Sequence, residues 1–326
     1  MARATFGVLL LLTICYQGIW AAQAPVKLLN DGNRIPVIAL GTYGSADDIA
    51  VMRQAVFWAI EAGYRHIDTA ELYRNEEQVG QGIADALQKG LVRREELFIT
   101  TKLWNNHHAR DQVIPALRDS LRRLGLDYVD LYLIHSPVAQ AANGTFEDID
   151  YLDTWRGMED AKKLGLTKSI GVSNFNSEQI NRIINNCEIK PAVNEIEVNP
   201  TLTQEALISY CQSVGIEVMS YSPFGFMVSR NRENSPPPKF DDPELTKMAH
   251  KYGKSTSQIV LRYLIDRDTI PIPKSVNKER IKKNIDIFDF SLTEEEIATI
   301  NKFNKNVRVV DIVKWKNHPY YPFNKP

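Results

Sequence analysis

The chain is poor in the features that usually announce a function. It has 3 cysteines in 326 residues, too few for a disulfide framework, and one of them, Cys15, sits near the start. Its 39 Lys and Arg stand against 40 Asp and Glu, a net charge of -1, with no long basic run. Nucleic acid or an anionic membrane surface would draw on clustered cations, so neither is expected as the main partner. His107 and His108 are adjacent, and His66, His250 and His318 lack partners at ligand spacing, so no metal site is expected. No Gly/Ser-rich linker splits the chain, and no apolar run is long enough to span a bilayer.

What is present begins with a leader. Arg3, the apolar run from Phe6 to Cys15 and the small residues Ala21, Ala22 and Ala24 read as a secretory signal peptide over residues 1–22, with cleavage expected between Ala22 and Val26. A secreted or lumenal protein follows from that reading; an uncleaved anchor or a cytosolic extension is the alternative. Cys187 and Cys211 would remain, the first ending one helical segment and the second inside the next. Both are expected as buried thiols, although their spacing leaves one disulfide open. Asn143-Gly144-Thr145 is a glycosylation sequon in a polar, loop-like stretch.

With 44% hydrophobic residues the chain can bury a large core, and its length suits either two domains or one barrel. Val26 to Leu29, Asn30-Asp31-Gly32-Asn33 and Arg34 to Val37 predict a β-hairpin, with Asp-Gly at the turn. A unit of apolar strand followed by amphipathic helix then recurs. Strands are predicted at 38–40, 66–67, 98–101, 129–134, 169–172, 193–198, 217–220 and 270–272. Helices are predicted at 47–62, 75–89, 109–124, 152–164, 177–186, 204–214, 242–252, 257–267 and 278–284. Eight strands apolar on both faces, each followed by helix, predict a closed (β/α)8 TIM barrel, a single domain over 26–326. An open doubly wound sheet competes, but it would place a glycine fingerprint after its first strand. The pair Gly80-Gln81-Gly82 falls in a helical pattern and lacks the third glycine.

Function in such a barrel gathers where strands end. The residues there are unusually polar: Asp68, Lys102, His135, Ser173-Asn174, Glu195 and Glu197, Tyr221-Ser222 and Lys274-Ser275. Taken singly, each also fits a helix cap, a packed aromatic or a surface charge. Ionisable groups at the same end of several strands converge on one pocket, as a catalytic site requires and a packed core avoids.

Gly41-Thr42, Gly63 to Ala70 with Tyr73 after it, Thr101 to Trp104, Leu131 to His135, Gly171 to Phe175, Tyr221-Ser222-Pro223 and Ile272 to Ser275 together resemble, in order, the motifs of the aldo-keto reductases. The resemblance implies NADPH-dependent reduction of a carbonyl. Tyr73 would be the proton donor, Lys102 beside it would lower the phenol pKa, Asp68 would hold the lysine, and His135 would donate to the carbonyl oxygen. The related 5β-reductases, which saturate steroid double bonds, carry Glu in place of that His, so His135 favours carbonyl reduction. Tyr221 would stack on the nicotinamide, while Ser173, Asn174 and position 195 would hold its carboxamide. Position 195 departs from the family, which usually has Gln; an ionised Glu195 can accept but cannot donate. Ser222, Phe224 and Gly225 would line the pyrophosphate, with Thr42 and Asp68 also on the cofactor side. Lys274, Ser275, Val276 and Arg280, with Asn284 near the adenine, look like a clamp for a 2′-phosphate, which favours NADPH over NADH. For the basic run around Arg280 a solvated helix face is the alternative.

The substrate pocket would be walled by Tyr43 and Trp104. The aromatic tail with Trp315 would fold over the mouth or dock as packing. Ser136, where many relatives have Trp, would open and polarise one wall. A leader with this motif set resembles the arthropod 3-dehydroecdysone 3β-reductases, implying a steroid ketone; a sugar-type or lipid-derived aldehyde is the rival. The resemblance further implies a monomer. Two other classes stay in view: a secreted barrel glycosidase using Glu195 and Glu197, and a non-catalytic member of the fold, which would be expected to carry a broken tetrad.

Overall fold

The structure, a computed structural model, describes residues 24–228 and 235–324. The leader assigned to residues 1–22, with Cys15, lies outside them. Strands β1 (Val26–Leu28) and β2 (Arg34–Pro36) form the expected antiparallel hairpin, with Val26 opposite Pro36. Gly32 takes φ +85° in the turn, a conformation that favours glycine. Leu29 and Ile35 are buried against Phe98, Leu131, Val193, Met219 and Ile270, so the hairpin floors the barrel. Asn30 fastens it by donating to the carbonyls of Pro191 and Gly215 at 2.7 and 3.0 Å.

Eight parallel strands follow in a single sheet, ordered as in the chain: β3 (Leu40–Gly41), β4 (His66–Asp68), β5 (Phe98–Leu103), β6 (Val129–Ile134), β7 (Thr167–Ser173), β8 (Val193–Glu197), β9 (Glu217–Tyr221) and β10 (Ile270–Pro271). The sheet closes on itself. The amides of Ala39 and Gly41 donate to the carbonyls of Pro271 and Pro273, both at 3.1 Å, and Gly41 pairs in parallel with Lys274. Every residue of β5, β6 and β8 is buried, as strands covered on both faces must be.

The helices are α1 (Ala46–Glu61), α2 (Glu76–Gln88), α3 (Arg110–Leu124), α4 (Tyr151–Lys163), α5 (Ser177–Ile184), α6 (Glu205–Ser213), α7 (Pro243–Tyr252), α8 (Thr256–Asp266), α9 (Lys278–Ile285) and α10 (Glu294–Asn301). Their starts are written in the sequence: Ser45 with Asp48, Asn176 with Gln179, Ser255 with Gln258 and Thr293 with Glu296 form reciprocal capping boxes. Predicted and observed boundaries differ by one or two residues, except that α10 was not expected although Thr293-x-x-Glu296 marks its start. Cys187 also departs from expectation, lying beyond the end of α5 and only half-buried. Cys211 is buried in α6, where burial pushes its thiol up to about 11, and both thiols are free. Asn143 of the sequon is exposed in a turn whose Gly144 takes φ +86°. Among the described residues no helix is long and apolar enough to cross a membrane.

The glycine pair in α2 serves packing. A Cβ at Gly80 would lie 2.3 Å from the carbonyl oxygen of Leu124 at the end of α3, and one at Gly82 would lie 2.5 Å from that of Arg53 in α1. Backbone cannot give way as a flexible side chain can, so α2 needs both glycines to sit between its neighbours. Gly80→Ala should therefore destabilise the fold by about 1–3 kcal/mol despite the better helix propensity of alanine. A denaturation midpoint equal to or above that of the parent would refute the close-packing argument.

Candidate active site

Asp68 closes β4, Lys102 lies in β5, and His135 follows β6 directly. Tyr73 ends a short 3-10 turn, Glu71–Tyr73, just beyond β4. The next residue, Arg74, takes φ +54° and so ends the turn sharply. The turn is held by Asn75, which donates to the carbonyl of Thr42 at 2.7 Å and accepts from the Thr69 hydroxyl at 3.1 Å. All four residues of the expected tetrad thus meet at the C-terminal mouth of the barrel.

The lysine is the hub. Its side chain is 0% exposed, and Nζ lies 2.7 and 2.8 Å from the two Asp68 oxygens and 3.1 Å from the Thr69 carbonyl. It is 3.3 Å from Tyr73 Oη and 3.3 Å from Glu195 Oε1. Burial alone would drive the amine neutral, but nearby carboxyl groups, Asp68 foremost, more than reverse that and hold its pKa above the ordinary lysine value. Tyr73 behaves differently from expectation. Burial raises its phenol pKa and Lys102 offsets this only in part, so the phenol keeps its proton at neutral pH. His135 is pushed well down by burial and by Lys102, which leaves a neutral imidazole. Its Nδ1 is buried without a hydrogen-bond partner among the described residues.

Aromatic rings surround the phenol. Tyr43 and His135 have their ring centres 5.2 and 5.7 Å from that of Tyr73, both edge-on. Trp104 stands 5.1 Å from His135, and Trp315 of the tail 6.3 Å from Trp104. Tyr43 is 65% exposed and forms the rim, whereas Trp315 is buried with Val138 and Tyr321, so the tail does dock over the mouth. Ser136 does not polarise the wall as expected. It is fully buried, and its hydroxyl donates to Asn105 at 2.8 Å and accepts from the Val138 amide at 3.3 Å.

The remaining predicted residues follow the strand ends round the rim. Asn174 takes φ +62°, donates to the His135 carbonyl at 2.9 Å and accepts from Tyr221 Oη at 2.7 Å. The Ser173 hydroxyl donates to the Glu195 carbonyl at 2.9 Å. Ser222 and Gly225 take φ +49° and +51° in a tight turn, and a Cβ on Gly225 would lie 2.6 Å from Asn199. Phe224 packs on Phe240, ring centres 5.8 Å apart. Thr42 is buried and its hydroxyl donates to the Asp68 carbonyl at 2.9 Å, so it braces the strand end. Ser275 is buried and accepts from the Asn277 amide at 3.1 Å, while Asn277 caps α9. Val276 packs against the core beside it, and Asn284 is buried on α9.

This rim fits a dinucleotide phosphate. Arg280 is exposed and, among the described residues, has no carboxylate partner; it sits in the first turn of α9, whose dipole favours anions. Lys274 is half-buried nearby in sequence and is paired with Asp48 at 2.7 Å. That pair was missed, although the capping box that positions Asp48 was legible. Glu197, named above only for the rival glycosidase reading, serves the fold instead. Its two carboxylate oxygens accept from the Val309 and Val310 amides of the tail at 2.7 and 2.9 Å, and Asn199 donates at 3.1 Å. With Glu195 on Lys102 and Glu197 holding the tail, no carboxylate of this strand is left for a glycosidase reaction. An acid at the end of a fully buried strand was the available signal, but not for which backbone it would cap.

Comparison with known proteins agrees with this geometry. Residues 38–305 match the sequence model of the aldo/keto reductase family. The chain is 64% identical over 306 residues to aldo-keto reductase AKR2E4 of Bombyx mori, covering 93% of this chain and 99% of that one. The crystal structure of that protein in complex with NADP superposes with a TM-score of 0.91, over 93% of this chain and 100% of the other. A structure of aldo-keto reductase AKR2E5 complexed with NADPH, 47% identical, also gives 0.91, over 93% and 95% of the two chains. Aldo-keto reductase family 1 member D1 of Mus musculus is 44% identical, over 91% and 96%.

Glu197→Ala would remove the carboxylate to which the Val309 and Val310 amides donate, at a cost of about 1–3 kcal/mol for each lost contact. Hydrogen exchange should accelerate at those two amides, and the segment after Phe303 should become protease-sensitive while the barrel strands stay protected. Unchanged exchange at both amides would show that Glu197 does not anchor the tail.

Proposed function

The chain belongs to the aldo/keto reductase family, and on that premise we propose that this oxidoreductase reduces a ketone or aldehyde to the alcohol with NADPH, acting as a monomer. The observation that carries the reading is a phenol, Tyr73, held 3.3 Å from a buried ammonium, Lys102, whose pKa is raised by Asp68. The reaction needs a hydride on carbon and a proton on oxygen. When bound, NADPH supplies the hydride. The protein's residues manage the oxygen.

His135, neutral and edge-on to Tyr73, donates one N–H to the carbonyl oxygen and fixes its position. Negative charge grows on that oxygen as hydride arrives, and Tyr73 Oη gives it a proton. The tyrosinate left behind is stabilised by Lys102, which cannot release its own charge while Asp68 holds it at 2.7 Å. Burial raises the phenol pKa, which keeps the donor loaded, and the ammonium lowers the cost of emptying it. Tyr221, Ser173, Asn174 and Glu195 would hold the nicotinamide end, the turn at Ser222 to Gly225 the pyrophosphate, and Lys274 with Arg280 the 2′-phosphate.

For the substrate we favour a steroid ketone of the 3-dehydroecdysone type. Tyr43, Trp104 and Trp315 offer flat aromatic rings on the open side of the site, which suits a fused ring system better than a polyhydroxylated chain. We also place the protein in the secretory pathway, on the strength of the leader pattern at Arg3 and Phe6 to Cys15 and of an exposed sequon at Asn143.

Tyr73→Phe keeps the ring and removes the proton. NADPH oxidation against a panel of steroid ketones, sugar aldehydes and lipid aldehydes should fall by about 10²–10⁴, with NADPH binding retained. Undiminished turnover in a folded variant would sink the mechanism, and preference for an aldehyde class would displace the steroid reading. Expression of the full chain in eukaryotic cells tests the location. Protein in the medium or secretory lumen, with a mass shift on endoglycosidase treatment that Asn143→Gln abolishes, is expected; unglycosylated protein confined to the cytosol would overturn it.

A further inference from the structure

Charge does not balance around Lys102. Asp68 on β4 and Glu195 on β8 reach its ammonium from opposite sides of the barrel, and their side chains are 3% and 2% exposed. Ionised together, they would set two negative charges against one positive in a place closed to water. The described cations that might help are engaged or distant: Lys274 pairs with Asp48, Arg308 stacks on Phe323 with its guanidinium 4.0 Å from the ring centre, and Arg280 is exposed. The other titratable groups around the cluster bring no positive charge. His135 is neutral, Tyr73 and Tyr221 are protonated phenols, and Glu197 is held by tail amides.

Two details of the contact point the same way. Glu195 Oε2 is buried with no hydrogen-bond partner, a costly state for an ionised oxygen. Both carboxyl groups also close on the one ammonium, Asp68 at 2.7 Å and Glu195 at 3.3 Å. Two ionised carboxylates gathered on a single buried cation repel each other until one of them carries a proton.

We propose that Glu195 is a carboxylic acid at neutral pH, and that it acts as a positioning residue presenting donor and acceptor together to the nicotinamide carboxamide. A protonated carboxyl has the same shape and the same one-donor, one-acceptor face as the glutamine usual in the family, so the substitution preserves the contact instead of abolishing it. Burial and the neighbouring Asp68 both push the Glu195 carboxyl well up, and Lys102 offsets them only in part. The carboxamide role rests on the NADPH reading above; the protonation does not.

The sign of the pH dependence follows. Glutamate in the unfolded chain titrates near pH 4.3, while the folded carboxyl holds its proton to higher pH, so the folded state loses stability as pH rises from about 4.3 until that proton leaves. Glu195→Gln has no proton to lose. Its stability advantage over the parent should therefore grow across that range, and parallel stability curves would refute the protonated carboxyl.

The direct readout is infrared difference spectroscopy of the cofactor-free protein against Glu195→Gln. A carboxylic-acid C=O band present at neutral pH, absent from the variant and converted to carboxylate bands at alkaline pH is expected; carboxylate bands alone at neutral pH would overturn the proposal. NADPH affinity, read by fluorescence, should fall for the parent relative to Glu195→Gln by about tenfold between neutral and alkaline pH, the worth of one hydrogen bond. A constant ratio would remove the carboxamide role. Failure of NADPH to bind either protein would instead defeat the functional reading, and the infrared band would still decide the protonation.

Discussion

An ammonium group that water cannot reach governs the mouth of this barrel. Removing one partner of a buried pair costs about 3–5 kcal/mol, because the remaining charge is left uncompensated. Lys102 therefore fixes Asp68, and Asp68 fixes more than the lysine. Its backbone carbonyl accepts from Thr42 at the end of β3, while the carbonyl of the next residue, Thr69, accepts from Lys102 itself. Asn75 links Thr69 to Thr42 and so closes the turn that carries Tyr73. The phenol is thereby aimed by three strand ends, and the strict geometry that proton transfer needs is built from backbone contacts instead of from a mobile loop.

Much of the architecture was legible because barrel strands are covered on both faces. Runs such as Val129 to Ile134 cannot be mistaken for solvent-facing strands, and capping residues mark where most helices begin. The tetrad was legible for a related reason: ionisable residues at strand ends have only one direction in which to converge. What stayed hidden was pairing between distant segments. No local pattern says that Asp48 reaches Lys274, that Glu197 caps amides more than a hundred residues on, or that the Ser136 hydroxyl turns to Asn105. Each depends on where the chain has returned after several βα units. The phenol pKa belongs with these, since Lys102 was seen as a neighbour but the depth of burial working against it was not.

The small net charge gains meaning from the same contacts. A number of cations are matched by carboxylates, among them Arg53 by Asp85, Lys254 by Asp286 and Arg182 by Asp150. Arg280 in the first turn of α9 is among the described cations without such a partner. An unmatched charge beside a helix N-terminus stands out more clearly on a balanced surface than it would on a basic one.

The hairpin that floors the barrel also makes the two ends of the molecule unlike. Its strands lie on the face opposite the catalytic mouth, where Asn30 ties them to the carbonyls of Pro191 and Gly215. A surface or partner that engaged this closed end would leave the entrance for cofactor and substrate unobstructed.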